Sequence, residues 1–248
     1  MLTVNKPDGA AVETLINCLC GMKRKAHGAQ KPRHINRIVG VASAEQRSDS
    51  PAQAINQRFP IRLSQCMIVK NEEKNVKRAL SWAKGIAFEQ IVVDTGSTDR
   101  TVEIAEHMGA KIFHFTWIDD FSAAKNYAIE KASGDWIAFL DADEYISAKH
   151  ARLIIPLIEK CINLYGNNVV ALTSQWAQLK DDGNISQIDR QQRIFINHPE
   201  VRYERPIHET LKIPPGTFPV PENDIIIMHT GYSHGAYADT RKIERNIA

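Results

Sequence analysis

Asp135-Trp136-Ile137-Ala138-Phe139-Leu140-Asp141-Ala142-Asp143-Glu144 is the stretch whose reading decides the fold. Its five consecutive apolar residues are too few for a helix of their own. They read as a strand buried on both faces, the habit of strands in parallel sheets. The chain then turns abruptly acidic, and open parallel sheets bind ligands at the carboxyl ends of their strands. Three carboxylates crowded at that edge repel one another, so a positive group belongs between them. A divalent cation carrying a phosphate ligand suits such hard oxygen donors best. The competing reading is an ordinary solvated turn, since Asp-x-Asp alone arises often by chance.

Working outward, the upstream chain alternates strand and helix signals. Residues 63–69 read as a strand and 71–84 as a helix that Asn71 caps and Gly85 ends. Residues 90–94 form a second strand, 95–99 a turn into a helix ending at Gly109, and 111–115 a third strand. Residues 121–132 form a helix stopped by Ser133-Gly134 before the central strand. This rhythm predicts βαβ units with right-handed crossovers and a mostly parallel sheet flanked by helices. Downstream, 149–164 reads as a helix interrupted at Pro156. Residues 169–179 and 189–196 read as antiparallel strands around the Asp182-Gly183 turn. A Pro-rich loop over 213–221 and a strand over 225–229 follow. A helix starting near Tyr237 runs about three turns to the chain end, which suggests a missing C-terminal continuation.

The 248 residues carry 43% hydrophobic and 24% charged residues, normal for a soluble globular chain. The net charge of +2 gives no case for nucleic acid, and the charge is uneven. Residues 1–60 hold nine Lys/Arg against four Asp/Glu, whereas the remainder holds 22 against 25. The basic segment has few large apolar residues beyond a short amphipathic stretch at 11–19, so it is expected to be poorly ordered. Cys18-x-Cys20 has no second pair, and Cys66 and Cys161 form no disulfide framework, which makes a reducing, cytoplasmic setting the default. No stretch approaches the ~20 apolar residues of a membrane span.

The first strand ends in Val69-Lys70-Asn71-Glu72, and the second in Asp94-Thr95-Gly96-Ser97. Both should reach the edge that carries Asp141 and Asp143. Gly96 permits a tight turn, and the following helix N-terminus can face an anion. Asp94 either accepts hydrogen bonds from a base or ribose or caps the helix start. The Gly-rich dinucleotide and P-loop fingerprints are absent.

Four segments in order, 67–73, 93–99, 117–126 and 134–144, resemble family 2 glycosyltransferases of the GT-A fold, in the bacterial branch that includes peptide S-glycosyltransferases. The resemblance covers residues 61–248. It implies a nucleotide-binding half over 61–146, an acceptor-side half with a smaller antiparallel region over 147–236, and the start of a C-terminal helix over 237–248. It further implies transfer of a sugar, with inversion, from a nucleotide diphosphate donor such as a UDP-sugar. The divalent metal would be Mn²⁺ or Mg²⁺, and the acceptor a peptide, a lipid-linked saccharide or a cell-envelope saccharide. By resemblance, Asp94 contacts uracil or ribose, and Val69, Lys70, Asn71 and Glu72 line the nucleoside pocket with Gly96 and Ser97. Asp141 and Ala142 meet the donor, and Asp143 binds the metal with Asp141 and His229. Lys125 stands where the family usually has Arg and steadies phosphate as a point charge.

The run 203–209 resembles the segment of the family that ends in His-Glu. An inverting transfer needs a base, and Glu209 is the expected one, with His208 as orienter or alternative and Glu204 in reserve. Arg193 is expected to contact phosphate or form a surface ion pair. His234 competes with His229, and Trp117 and Trp176 stack on sugar or pack in the core. Two other readings are a nucleotidyltransferase, disfavoured because Lys70-Asn71-Glu72-Glu73 is not a Gly-rich basic loop, and a binding module without turnover.

Overall fold

The computed structural model describes residues 60–231. The expected helices near 11–19 and from 237, the Cys18–Cys20 pair and His234 lie outside the described residues. Ten strands and five helices follow in order: β1 (Leu63–Val69), α1 (Val76–Ser81), β2 (Glu89–Asp94), α2 (Thr101–His107), β3 (Lys111–His114), α3 (Phe121–Glu130), β4 (Trp136–Phe139), β5 (Glu144–Ile146), α4 (Ala148–Ala151), α5 (Ile154–Tyr165), β6 (Val169–Leu179), β7 (Ile185–Ile196), β8 (Tyr203–Glu204), β9 (Thr210–Leu211) and β10 (Phe218–His229).

Eight strands form one sheet in the order β3-β2-β1-β4-β7-β6-β10-β5. The first four run parallel, and β7 joins β4 antiparallel through Trp136↔Ile196 and Ala138↔Ile194. The winding direction reverses between β1 and β4, which opens a crevice at the carboxyl ends of those two strands. Cys66 of β1 pairs with Phe139 of β4, so the chain beyond Phe139 runs level with the end of β1.

The central strand is buried on both faces, as its sequence predicts. Trp136, Ala138 and Leu140 pack against Ile154, Leu157 and Ile158 of α5. Ile137 and Phe139 face the other way, against Ala128 and Ile129 of α3. All five central side chains are at most 2% exposed. Burying each large one contributes roughly 1.5–3 kcal/mol, which fixes where the chain emerges at Asp141.

Several element boundaries differ from the sequence reading. Helix α1 begins at Val76, because Asn71 sits in the left-handed region (φ 57) and its Oδ1 accepts from the Thr98 N–H at 2.7 Å. Asn71 therefore caps the neighbouring turn rather than its own helix. The helix stops early because Gln65 and Gln90 donate to the Ala79 and Leu80 carbonyls, each at 2.7 Å. Pro156 does not interrupt a helix; it is the third residue of α5, where no intrahelical partner for its missing N–H is needed. Strand β7 starts four residues early, at Ile185, on an exposed hairpin that hydrophobic patterning does not mark. The end of the Pro-rich stretch is strand: β10 runs beside β6 from Phe218, with an irregularity between Pro221 and Ile226. The short strands β5, β8 and β9 escaped the sequence reading.

At the sheet end away from the crevice, Glu89 is a buried anchor. It accepts from Ser64 Oγ (2.8 Å), the Ser133 N–H (2.6 Å) and Lys111 Nζ (2.6 Å). Burial opposes its ionisation, yet these donors outweigh burial and hold it down to about 2. A depressed carboxyl contributes stability above its unfolded value near 4.5, and that contribution is lost as pH falls toward 2. We expect an acid-side loss on the order of 3 kcal/mol from this group. Urea denaturation at pH 7 and pH 3 should show a smaller acid-side loss in Glu89→Gln; the same loss as in the parent would remove Glu89 as an anchor.

Candidate active site

The crevice between β1 and β4 holds a cavity of about 380 Å³. Val69 and Lys70 reach it from β1, Thr95 from the end of β2, and Asp141, Ala142 and Asp143 from the end of β4. Phe121 and Lys125 come from α3, and His229 from the end of β10. Glu72 and the run Ile207, His208 and Glu209, between β8 and β9, also line it. The topology thus gathers residues from most of the described chain at one edge.

Two cations, Lys125 buried and Arg193 half-buried, organise the acids. Lys125 is 1% exposed, with Nζ 2.6 Å from Glu209 Oε1 and 3.1 Å from Asp141 Oδ1. Arg193 Nη2 lies 2.9 Å from Asp141 Oδ2 and 2.7 Å from Glu144 Oε1. The positive charge that the acidic turn requires is therefore supplied, for Asp141 and Glu144, by the protein. Burial works against ionisation of Asp141, but Lys125 and Arg193 hold its carboxyl well below the usual range. Burial likewise disfavours the charged Lys125, yet its carboxylate neighbours push its pKa up.

These contacts bear on three of the expected residues. Arg193 is not a surface ion pair: it lies behind Asp141, outside the cavity lining, with Nη2 on two acids. Glu144 belongs to the fold, 1% exposed and accepting from Trp176 Nε1 at 2.7 Å. Glu209 is oriented by Lys125 rather than by His208. Asp94 lies on the same sheet edge, but its carboxylate accepts from the Gly96 and Ser97 N–H groups at 3.2 and 3.0 Å, the turn-capping alternative. Ser97 Oγ in turn accepts from the Asn71 N–H at 3.0 Å. Asp94, Gly96, Ser97 and Asn71 thus brace two loops beside the cavity without lining it.

Asp143 and His229 form the second constellation. Asp143 Oδ2 lies 3.4 Å from His229 Nε2, and both side chains line the cavity. Adjacent ligands of one octahedral Mg²⁺ or Mn²⁺ sit roughly 3 Å apart, so the pair fits two corners of such a shell. Among the described residues no group of three or more His, Cys, Asp or Glu gathers for a metal, so remaining corners would fall to phosphate oxygens and water. Gly231 fits the same picture. A Cβ there would stand 2.6 Å from His229 Nε2 and closer still to Asp143 Oδ2. Gly231→Ala should therefore weaken Mn²⁺ uptake about tenfold or more, read by electron paramagnetic resonance of free Mn²⁺; unaltered uptake would show that the cradle holds no cation.

Trp117, a stacking candidate in the sequence, lines the cavity together with Phe121 and Ile207, which sequence reasoning missed. Trp117 meets Phe121 edge-on at 4.8 Å. The Phe121 N–H and Ser122 Oγ donate to the Pro206 and Arg205 carbonyls at 2.9 and 2.5 Å, which staples α3 to the 205–209 loop. Asp119, Arg205 and His208 all have positive φ, strained backbone of the kind found at functional sites.

Comparison with known proteins agrees with this geometry. Residues 64–211 match the model of the family described as glycosyl transferase family 2. The chain belongs to that family. Its mixed α/β sheet with a switch-point crevice agrees with the α/β fold expected from the sequence. A TPR repeat-containing protein of Synechococcus elongatus is 40% identical over 149 residues, covering 59% of this chain and 34% of its own. The SPbeta prophage-derived glycosyltransferase SunS of Bacillus subtilis is 27% identical over 225 residues, 88% of this chain and 49% of its own. The chain thus spans a third to a half of the length of these relatives. Glucosyl-3-phosphoglycerate synthase from Mycobacterium tuberculosis, solved with Mn²⁺, UDP and glucosyl-3-phosphoglycerate, is 23% identical. That likeness covers 47% of this chain and 44% of the other, with a TM-score of 0.39. No helix among the described residues is long and apolar enough to cross a membrane.

Proposed function

We propose that this glycosyltransferase family 2 chain moves a sugar from a UDP-sugar to an acceptor nucleophile with inversion, assisted by Mn²⁺ or Mg²⁺. One observation carries the reading. A single cavity is lined both by the Asp143–His229 pair and by the Lys125–Glu209 pair. Its volume suits a small-molecule ligand. Asp143 and His229 would hold the cation, which neutralises charge on the leaving nucleoside diphosphate. Asp141, steadied from behind by Lys125 and Arg193, offers acceptor oxygens to the donor's ribose hydroxyls. Val69, Lys70 and Thr95 wall the nucleoside side. Trp117, Phe121 and Ile207 form an apolar surface on which the acceptor is positioned, away from water.

Glu209 takes the acceptor's proton. Lys125 grips Oε1 and so fixes the carboxylate, while Oε2 remains for the proton. A Gly-rich basic loop, which nucleotidyl transfer would favour, is missing after β1. Glu209→Gln should leave Mn²⁺-dependent UDP affinity within about twofold and slow release of UDP from a UDP-sugar about a hundredfold or more. Wild-type turnover in this variant would remove Glu209 as the base.

A further inference from the structure

The buried acid Glu144 and the indole of Trp176 have no role in the chemistry above, yet they connect its two halves. Strand β10 delivers His229 between two neighbours: His229 pairs with Glu144 of β5 on one side and Gln178 of β6 on the other. From β6, Trp176 lays its ring on the imidazole, with centroids 4.3 Å apart and planes inclined 29°. The indole N–H donates to Glu144 Oε1 at 2.7 Å. That same oxygen accepts from Arg193, whose Nη2 also holds Asp141. Glu144 Oε2 accepts from the Asp141 N–H at 3.0 Å, which fixes the turn that carries Asp143. One carboxylate thus ties the acidic turn directly and the His229 ring through one aromatic plate. Trp176 is not a cavity-lining residue, whereas His229 is, so the indole backs the ring and leaves the cavity to it.

We propose that Trp176, anchored on Glu144, is the positioning residue of the cation site and sets the plane in which His229 meets Asp143. The inference rests on the functional reading above, in which Asp143 and His229 hold the cation. Outer-shell groups that orient a histidine ligand are worth 10–100-fold in metal affinity. Stacking fixes the ring plane, and the indole hydrogen bond fixes the plate that does the stacking.

The test measures Mn²⁺ affinity by electron paramagnetic resonance in the presence of UDP, for wild type, Trp176→Phe, Trp176→Ala, His229→Ala and the double variant Trp176→Ala/His229→Ala. Metal-free UDP affinity and the thermal midpoint are followed alongside. Trp176→Ala should lose about tenfold or more, and Trp176→Phe, which keeps the stack without the anchor, should lose less. Placed on His229→Ala, Trp176→Ala should cost nothing further, because its effect passes through the imidazole. Metal-free UDP affinity should stay unchanged in both single Trp176 variants. Should Trp176→Ala not fold, the Trp176→Phe comparison decides the matter alone. Wild-type Mn²⁺ affinity in a folded Trp176 variant, additive losses in the double variant, or an equal fall in metal-free UDP binding would each overturn the positioning role. Failure of the wild-type protein to take up Mn²⁺ with UDP would instead overturn the functional reading itself.

Discussion

Asp143→Ala should abolish the metal-dependent part of UDP binding while leaving the fold in place. The side chain lines the cavity and meets His229 Nε2 at 3.4 Å. Its backbone also serves the local fold: the Asp143 carbonyl accepts from both the N–H and the hydroxyl of Thr230, each at 3.0 Å. Alanine keeps those bonds. A ligand to the cation contributes at least as much as the outer shell behind it, so the expected loss in Mn²⁺-dependent UDP affinity is about a hundredfold or more. Calorimetry with UDP and Mn²⁺ reads it, and chelator-treated wild type should match the variant. Unchanged affinity would detach Asp143 from the donor site.

Lys125→Met should be the most destabilising change at the site. The ammonium is 1% exposed and sits between Asp141 Oδ1 and Glu209 Oε1, 5.2 Å from the centres of the Phe139 and Tyr203 rings. Methionine fills much of the volume but leaves two carboxylates facing each other with one cation fewer. Removing one partner of a buried pair costs about 3–5 kcal/mol, and the partial exposure of Asp141 argues for the lower end. The sign of its pH dependence follows from Asp141. A carboxyl held below its unfolded value stabilises the fold at neutral pH, and that stabilisation disappears as pH falls through the folded pKa. In the variant the contribution of Lys125 is gone and those of Arg193 and His229 remain, so less is lost in acid. The stability gap between wild type and Lys125→Met should be widest near neutrality and should narrow below about pH 4. Guanidinium denaturation across pH measures the gap; a constant one would assign the cost to packing instead of charge.

Legibility tracks how local each signal is. The run 136–140 announced a doubly buried strand because its apolar residues are contiguous, and the chain after it had to emerge at the ligand-binding edge. The ends of β1 and β2 were legible for the same reason, as turn residues directly following apolar strands. What the sequence withheld are partnerships across long separations. Nothing in Arg193 marks its pairing with Asp141, 52 residues away, and nothing in Lys125 marks Glu209, 84 residues away. A buried lysine bridging two acids looks, in one dimension, like any helix lysine. Asn71 misled for a related reason: a residue suited to cap its own helix caps the next loop instead. Pro219 and Pro221 hid β10, since proline argues against a strand unless an irregular register accommodates it. The acids are legible in the sequence, but the protein cations that hold two of them are not. Glu144 serves the fold, Asp141 is held by protein cations, and Asp143 alone of the three meets a histidine at the cavity.

Anomalous scattering at the manganese edge, from crystals grown with Mn²⁺ and UDP, addresses the cation site with the fewest intermediaries. The expected result is one peak within coordination distance of Asp143 and His229, roughly 2.0–2.3 Å from each, touching UDP phosphate oxygens. UDP bound in the cavity without a peak there, or with the ion on other residues, would contradict it.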